Sequence, residues 1–124
     1  MKKIEWTGRN TNKNQKWEVT AESMISLYNK LTEKGIISTE DKDPWEEAVL
    51  KKAGKDINSD EFLDEDGYIN PELIQKAIDE AEDLTDKELW ELIKDQDGNA
   101  YYQSFLVNDE EITEEDFNEK GELK

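Results

Sequence analysis

The chain has no cysteine and no histidine among its 124 residues. Without cysteine there can be no disulfide, no thiolate nucleophile and no Cys-ligated zinc. Without histidine the chain lacks the commonest general base and the commonest metal ligand. Long apolar runs are also missing, since no stretch approaches the roughly 20 residues of a membrane span. The N-terminus MKKIEWTGRN has no apolar core, so we expect no signal peptide and a cytoplasmic protein.

Basic residues are scarce in the second half of the chain. Residues 1–55 hold 11 basic and 9 acidic side chains, a net charge of +2. Residues 56–124 hold 5 basic and 24 acidic side chains, a net charge of −19. Carboxylates in such excess repel phosphate, so we expect no direct binding of nucleic acid and no membrane association. The asymmetry instead indicates a charged interaction surface or an acidic tail.

Apolar residues make up only 34% of the chain, yet they are periodic, and this periodicity predicts a folded protein. We expect one α+β domain spanning residues 1–124, with about four helices packed on a small antiparallel sheet. The expected order along the chain is an N-terminal hairpin (1–20), a helical part (21–96), a strand (97–108) and an acidic C-terminal helix and tail (109–124).

Alternating apolar and polar residues predict the N-terminal hairpin. Ile4 and Trp6 form one pattern and Trp17 and Val19 form another. The polar, Asn-rich stretch TGRNTNKNQ between them is expected to be a loop.

A second strand signal lies near the C-terminus. Asp97-Gly98 is a strong hairpin-turn sequence, and the run AYYQSFLV at 100–107 is suited to a strand that pairs with the N-terminal hairpin. Residues 108–111 are expected to turn the chain, and the final GELK is expected to fray.

Capping residues mark where the helices begin. Thr20 is expected to cap a helix over residues 21–34, which buries one apolar face. Trp45 is expected to anchor a short helix that ends at Gly54. The apolar face of the first helix comprises Met24, Ile25, Leu27, Tyr28 and Leu31. Further N-caps are expected at Asp43, Asn70, Thr85 and Thr113, the last opening a short helix through Asp116.

Two DxDG segments, at residues 64–67 and 95–98, raise the question of calcium binding. If the glycine is the sixth residue of an EF-hand loop, the first must donate oxygen and the twelfth must be a bidentate Glu. The first position is Phe62 or Ile93, which has no oxygen donor in its side chain, and the twelfth is Leu73 or Ser104 instead of Glu. We therefore expect no specific metal site and no cofactor. Without histidine or a glycine-rich phosphate loop, we also expect no enzyme.

Clustered carboxylates are the feature that remains. Spaced three, four or seven residues apart on a helix, they lie roughly 5–10 Å from one another, comparable to phosphates along a nucleic-acid strand. A rigid array of this kind can occupy a basic groove that normally holds DNA or RNA. The candidate partner-binding residues are Asp64, Glu65, Asp66, Glu72, Asp79 and Asp83 in a first group, and Asp109, Glu110, Glu111, Glu114, Glu115 and Asp116 in a second.

The two helices expected after Pro71 and after Thr85 differ in the charge pattern of their outer faces. The helix that begins at Pro71 is expected to have an apolar stripe that includes Leu73 and Ile74. Its opposite face is expected to carry Glu72, Asp79 and Asp83. Ile69, before the first turn, is expected to pack against Ile74. After Thr85, the next helix is expected to bury Leu89, Leu92 and Ile93. Its outer face is mixed in charge and is expected to be salt-bridged solvent surface, so that the helix serves as scaffold, with Lys87, Glu91 and Lys94 on this face.

The runs DEFLDED, DEAED and NDEEITEED lie within residues 56–124. In these runs, in its size and in its lack of Cys and His, the chain resembles small acidic phage or mobile-element proteins that mimic nucleic acid, including anti-CRISPR and anti-restriction proteins. The resemblance implies a non-enzymatic inhibitor that blocks the basic DNA- or RNA-binding cleft of a host defence protein such as a CRISPR or restriction nuclease. If a phage encodes the protein, we expect it in the cytoplasm of the host cell.

Three alternatives stay open at this point. The acidic faces can simply be solvated surface, which is what most charge runs are. The chain can be an immunity or adaptor protein that binds a basic partner through a hydrophobic anchor, with Trp45, Trp90 or Tyr68 as candidates. It can also be a calcium-responsive module. The N-terminal hairpin also contains one basic cluster. It is either a solvated loop or a region that packs against or electrostatically balances the acidic half. Its residues are Lys2, Lys3, Arg9, Lys13 and Lys16.

Overall fold

A computed structural model describes residues 3–10, 14–37, 43–95 and 101–124. These residues form four α-helices and one four-stranded antiparallel sheet, so the expected α+β fold is confirmed. The chain divides into two compact units. We call them the sheet unit, made of residues 1–39 and 85–124, and the helical unit, made of residues 40–84.

The sheet has the strand order β2-β1-β3-β4. Trp6 of the central strand β1 lies opposite Val19 of β2 and opposite Phe105 of β3, and both pairings are antiparallel. The expected hairpin and its pairing with the strand near residues 100–107 are therefore confirmed. The strands are β1 (Ile4–Asn10), β2 (Gln15–Ala21), β3 (Tyr101–Val107) and β4 (Glu110–Glu111).

The loop of the N-terminal hairpin is shorter than its composition suggests. Gly8 lies opposite Trp17 and Arg9 lies opposite Lys16, so residues that were expected to form a loop belong to β1 and β2. Pairing between strands thus outweighs the weak strand preference of glycine, asparagine and charged side chains.

The turn after β3 is also shorter than expected. Only Asn108 and Asp109 form it, with φ angles of 53° and 68°. Asn and Asp tolerate this left-handed conformation, which suits the two-residue loop of a twisted hairpin. Glu110 and Glu111 then pair back with β3 as a fourth strand, contrary to the expected turn over residues 108–111. The Asp97-Gly98 turn signal lies outside the described residues.

Helix α1 (Met24–Glu33) begins later than expected. Thr20 still belongs to β2, and the N-cap is Ser23, whose side chain accepts a hydrogen bond from the backbone N–H of Ser26 at 3.2 Å. The buried face of α1 packs on β1, β2 and α4, but Ile25, expected in the core, is exposed. The buried residues of α1 are Met24, Leu27, Tyr28 and Leu31.

Helix α4 (Asp86–Lys94) begins at the expected capping box, in which Thr85 and Glu88 bond reciprocally at 3.0 and 3.2 Å. Its core residues are Leu89, Trp90 and Ile93, whereas Leu92, expected in the core, is only half-buried. Trp90 was considered as a contact residue, but it packs inside the sheet unit. Its ring lies 5.2 Å from that of Phe117, and the Nζ of Lys94 lies 3.7 Å from its centroid. Within the described residues no ion pair joins Lys87, Glu91 and Lys94.

The C-terminal residues are ordered by contacts with α4, so the expectation of a frayed end was wrong. The backbone N–H of Leu123 donates to Asp86 Oδ2 at 2.9 Å, and that of Lys87 donates to the carbonyl of Gly121 at 2.9 Å. A 3₁₀ turn at Glu114–Asp116 precedes this segment and follows the expected cap at Thr113.

The helical unit contains α2 (Pro44–Lys52), a 3₁₀ turn (Asp60–Phe62) and α3 (Pro71–Glu80). The expected caps Asp43 and Asn70 are confirmed, because each accepts a hydrogen bond from the second residue of its helix, at 3.0 Å in both cases. Trp45 packs against the small core of this unit, as expected of an anchor. That core comprises Val49, Leu50, Ile57, Phe62, Ile74, Ala77 and Ile78.

Candidate partner-binding surface

The first group of candidate acids is built on a tight turn between the 3₁₀ turn and α3. Asp64 Oδ1 accepts hydrogen bonds from the backbone N–H groups of Asp66 at 2.9 Å and Tyr68 at 3.0 Å. The backbone N–H of Asp64 donates to the carbonyl of Tyr68 at 2.8 Å, and the N–H of Asn70 donates to the carbonyl of Phe62 at 2.8 Å. These bonds fix the backbone on both sides of the turn, so the exposed side chains project from a defined frame.

The same stretch has the most uncompensated charge in the helical unit. Residues 60–73, which we call the acidic turn segment, contain six carboxylates and no basic residue. One of them, Glu61, is paired with Lys55 at 3.7 Å. The other five are exposed: Asp60, Asp64, Glu65, Asp66 and Glu72. Four of the first-group residues thus lie together on this segment.

The outer face of α3 is less acidic than the sequence suggests. Glu72 and Asp79 are both exposed and lie two turns apart, a rise of about 10 Å. The exposed Lys76 lies between them on the same face and lowers the local negative charge. Asp79 also accepts a hydrogen bond from the side chain of Gln75 at 2.9 Å.

Asp83 was expected to continue the acidic face of α3, and this expectation was wrong. The helix ends at Glu80, and Ala81 is extended with φ −92° and ψ 162°. Asp83 therefore lies in the connection beyond the helix, where its backbone carbonyl accepts a hydrogen bond from Lys52 Nζ at 2.8 Å. The helical spacing that relates Glu72 to Asp79 does not extend to this residue.

The second group of acids, in the sheet unit, is spread over three short elements. Asp109 lies in the β3–β4 turn, and Glu110 and Glu111 are successive strand residues, whose side chains point to opposite sides of a sheet. Asp116 is half-buried, and its Oδ2 accepts a hydrogen bond from the backbone N–H of Thr113 at 2.7 Å. Glu114 and Glu115 are exposed on the 3₁₀ turn. This group is therefore acidic but does not form one face.

The structure assigns the two groups to different units, since residues 64–83 belong to the helical unit and residues 109–116 to the sheet unit. The array predicted from the sequence counted them as its two parts. Each group is therefore considered by itself, and the acidic turn segment is the better defined of the two.

Large apolar side chains are exposed on the acidic turn segment. Tyr68 is 72% exposed, Ile69 57% and Leu73 37%. The other large hydrophobic that is exposed among the described residues is Ile25, in the sheet unit. Trp45 and Trp90, the other two anchor candidates, are each packed against a core.

Ile69 and Leu73 were expected to pack against the core, and that expectation was wrong. At 100° per residue, Leu73 lies about 90° from the centre of the stripe formed by Ile74, Ala77 and Ile78. Its position at the edge of the stripe was therefore a usable signal. Ile69 precedes the cap of α3, so helical periodicity does not predict whether its side chain is buried.

The basic cluster lies partly on the open face of the sheet. Arg9 and Lys16 face each other across β1 and β2 and line an open concavity of about 540 Å³ together with Glu18. Lys3 is paired with Glu5 at 3.6 Å. Lys2 and Lys13 lie outside the described residues. The charged lining of the concavity is mixed and does not define a ligand.

One carboxyl of the helical unit, that of Glu46, has a pKa that its environment shifts. Burial raises the pKa of Glu46 above its usual value, and the negative charge of Asp43 raises it further. Both belong to the first turn of α2, where Asp43 is the helix cap. In the part of the chain that the structure describes, no three carboxylates converge as a metal ion requires. The described helices also include none that is long and apolar enough to cross a membrane.

Comparison with known proteins gives no match to a protein-family model. No curated protein is significantly similar in sequence either.

Proposed function

We propose that this protein is a non-enzymatic acidic inhibitor that occupies the basic nucleic-acid-binding cleft of another protein. The class of target is a DNA- or RNA-binding defence protein, such as a CRISPR or restriction nuclease. The acidic turn segment supplies the contact. Its carboxylates take the place of nucleic-acid phosphates, and the partner's Lys and Arg side chains surround them.

One observation supports this proposal above the others. The acidic turn segment combines six carboxylates without a basic residue and a backbone fixed by hydrogen bonds at its turn and at the start of α3. A flexible acidic tail loses conformational entropy when it binds, whereas a preformed segment has already lost it on folding. Fixed charges also select a partner whose cations lie at matching positions.

The physical basis of binding is electrostatic. A basic cleft holds condensed anions when it is empty, and binding of a polyanionic surface releases them. The net charge of −17 steers the chain towards such a cleft at long range. Affinity should therefore fall steeply as salt is added, since screening weakens both the encounter and the contacts.

The test uses the immobilised chain to capture proteins from a bacterial lysate at low salt. We expect basic nucleic-acid-binding proteins to be retained, and either high salt or added nucleic acid to release them. A variant with Glu65→Lys, Asp66→Lys and Glu72→Lys should lose this binding, because it reverses three exposed charges of the segment. Asp64 is left unchanged because its carboxylate holds the turn.

A second triple variant with the same change in net charge tests whether binding depends on the acidic turn segment or only on the total charge of the chain. Glu22→Lys, Glu33→Lys and Glu91→Lys reverse three exposed acids of the sheet unit and should leave binding nearly intact. If both triple variants lose binding equally, the acidic turn segment is not the contact surface. If nucleic acid does not compete for the captured protein, mimicry of nucleic acid is rejected.

A second function is favoured by the exposure of Tyr68, namely that of an immunity or adaptor protein with a hydrophobic anchor. The carboxylates around this residue would then surround the contact and set its specificity. This function predicts a retained partner that resists both salt and added nucleic acid. The same capture experiment therefore distinguishes the two.

A further inference from the structure

We infer that Tyr68, with Ile69 and Leu73 beside it in the chain, is the apolar centre of the acidic contact surface. Its partner is then a groove that binds unpaired nucleic-acid strands, in which an aromatic platform is flanked by cations. The inference rests on the proposed function, because it takes a basic nucleic-acid-binding protein as the partner. It narrows that partner from any basic cleft to one class of groove.

The first argument is where the exposed apolar residues lie. Three of the four large hydrophobics exposed among the described residues fall within six positions, at the junction between the acidic turn and α3. Burial of apolar side chains is favourable, so exposure of a tyrosine and two aliphatic residues together leaves apolar surface that a partner can cover.

The second argument is that the frame under this patch is fixed. Tyr68 is bonded through both its backbone N–H and its carbonyl to Asp64. Ile69 forms a β-bridge with Leu63, and Leu73 lies in the first turn of α3 behind the Asn70 cap. The aromatic ring is thus exposed on an ordered backbone, and its binding requires little further ordering.

The third argument is charge complementarity. Six carboxylates and no basic residue share residues 60–73 with the patch. A second copy of this chain would bring the same carboxylates face to face, which disfavours self-association through this surface. A partner surface with cations around an apolar or aromatic centre is complementary to this patch. Its charges are opposite in sign to the carboxylates, and its centre is apolar where the patch is apolar.

Grooves for unpaired strands have this composition. They combine cations that follow the phosphates with aromatic side chains on which bases stack, at about 1–3 kcal/mol per base. Surfaces that bind duplex DNA make most of their hydrogen bonds to phosphate and sugar. A tyrosine ring flanked by carboxylates therefore corresponds to an unpaired base flanked by phosphates.

The experiment uses two synthetic peptides of equal charge as probes, one containing lysine only and one containing alternating lysine and tryptophan. Calorimetric titration should show about tenfold tighter binding of the lysine–tryptophan peptide to the wild-type chain, the size expected of one stacked ring. Tyr68→Ala should remove this difference, and Tyr68→Phe should keep it. Ile25→Ala is the matched control, because Ile25 is 41% exposed but lies in the sheet unit.

The inference is overturned if both peptides bind the wild-type chain equally, or if the preference survives Tyr68→Ala. It is also overturned if sedimentation shows a dimer that Tyr68→Ala dissociates, since a second copy would then cover the patch. The proposed function fails separately if the Glu65, Asp66 and Glu72 charge-reversal variant binds both peptides like the wild type. Loss of binding in that variant together with no effect of Tyr68→Ala rejects the inference alone.

Discussion

At the scale of single residues, the candidate carboxylates include two classes that differ in what they contribute to the fold. Asp64 and Asp116 accept backbone hydrogen bonds and hold local turns, so their positions are explained by the fold. Glu65, Asp66 and Glu72 are exposed and have no such role among the described contacts. A change at the first class alters both structure and charge, whereas a change at the second alters charge alone.

Asp64 allows these two effects to be separated. Asp64→Ala should lower the free energy of unfolding by about 1 kcal/mol, since two backbone N–H groups lose their acceptor. Asp64→Asn keeps an acceptor oxygen and should be nearly as stable as the wild type, although it removes the charge. Urea denaturation of both variants measures the difference.

Glu65→Ala is the control, since it removes a neighbouring carboxylate that makes no bond of this kind. Its stability should lie within about 0.5 kcal/mol of the wild type. If Asp64→Asn is as unstable as Asp64→Ala, the charge of Asp64 matters for folding more than its hydrogen bonds.

At the scale of elements, the C-terminal segment behaves as part of the sheet unit. Gly121 is buried, and its carbonyl accepts a hydrogen bond from the first turn of α4. A Cβ at this position would lie 2.7 Å from Thr85 Oγ1 and 2.8 Å from Thr85 Cβ. Thr85 caps α4, so the C-terminal segment and the start of that helix depend on each other.

Gly121→Ala should therefore be strongly destabilising. The left-handed φ of +80° costs about 1–2 kcal/mol for a residue with a Cβ, and the contact with Thr85 adds to this. Gly35→Ala is the matched control in the same unit, because its φ is +74° and nothing lies within 4 Å of its Cβ position. The difference between their urea unfolding midpoints measures the contact, and equal midpoints would mean that the C-terminal segment does not pack on Thr85 in solution.

Local signals predicted most of the elements. The caps Asp43, Asn70 and Thr85 were identified correctly because each acts on backbone groups two or three residues away. The hairpin formed by β1 and β2 was predicted for the same reason, since its alternation lies within one short stretch.

Features set by distant contacts were not predicted. The order of the C-terminus depends on a bond between Leu123 and Asp86, residues 37 positions apart. Burial of Trp90 depends on Phe117, which no helical pattern relates to it. In the candidate surface, the four acids of the turn and the possible anchor Tyr68 were identified from the sequence, but Ile69 and Leu73 beside them were assigned to the core.

At the scale of the whole molecule, charge acts on folding and on binding in opposite directions. The chain carries a net charge of −17, with pI about 4.3. Ion pairs such as Lys3–Glu5 and Lys55–Glu61 join charges of opposite sign and leave this net excess unchanged. Like charges repel one another in the folded state, and unfolding separates them. Added salt should thus strengthen the fold while it weakens any contact with a basic partner.

The expected result is a thermal unfolding midpoint that rises with sodium chloride at neutral pH. At 0.1 M salt the Debye length is about 10 Å, so repulsion between carboxylates farther apart than this is already screened. The control is the same titration near pH 4.3, where the net charge approaches zero and salt should change the midpoint little. A midpoint that does not respond to salt at neutral pH would mean that the carboxylates are placed far enough apart for their repulsion to be negligible. The acidic surface would then lower the stability of the fold very little.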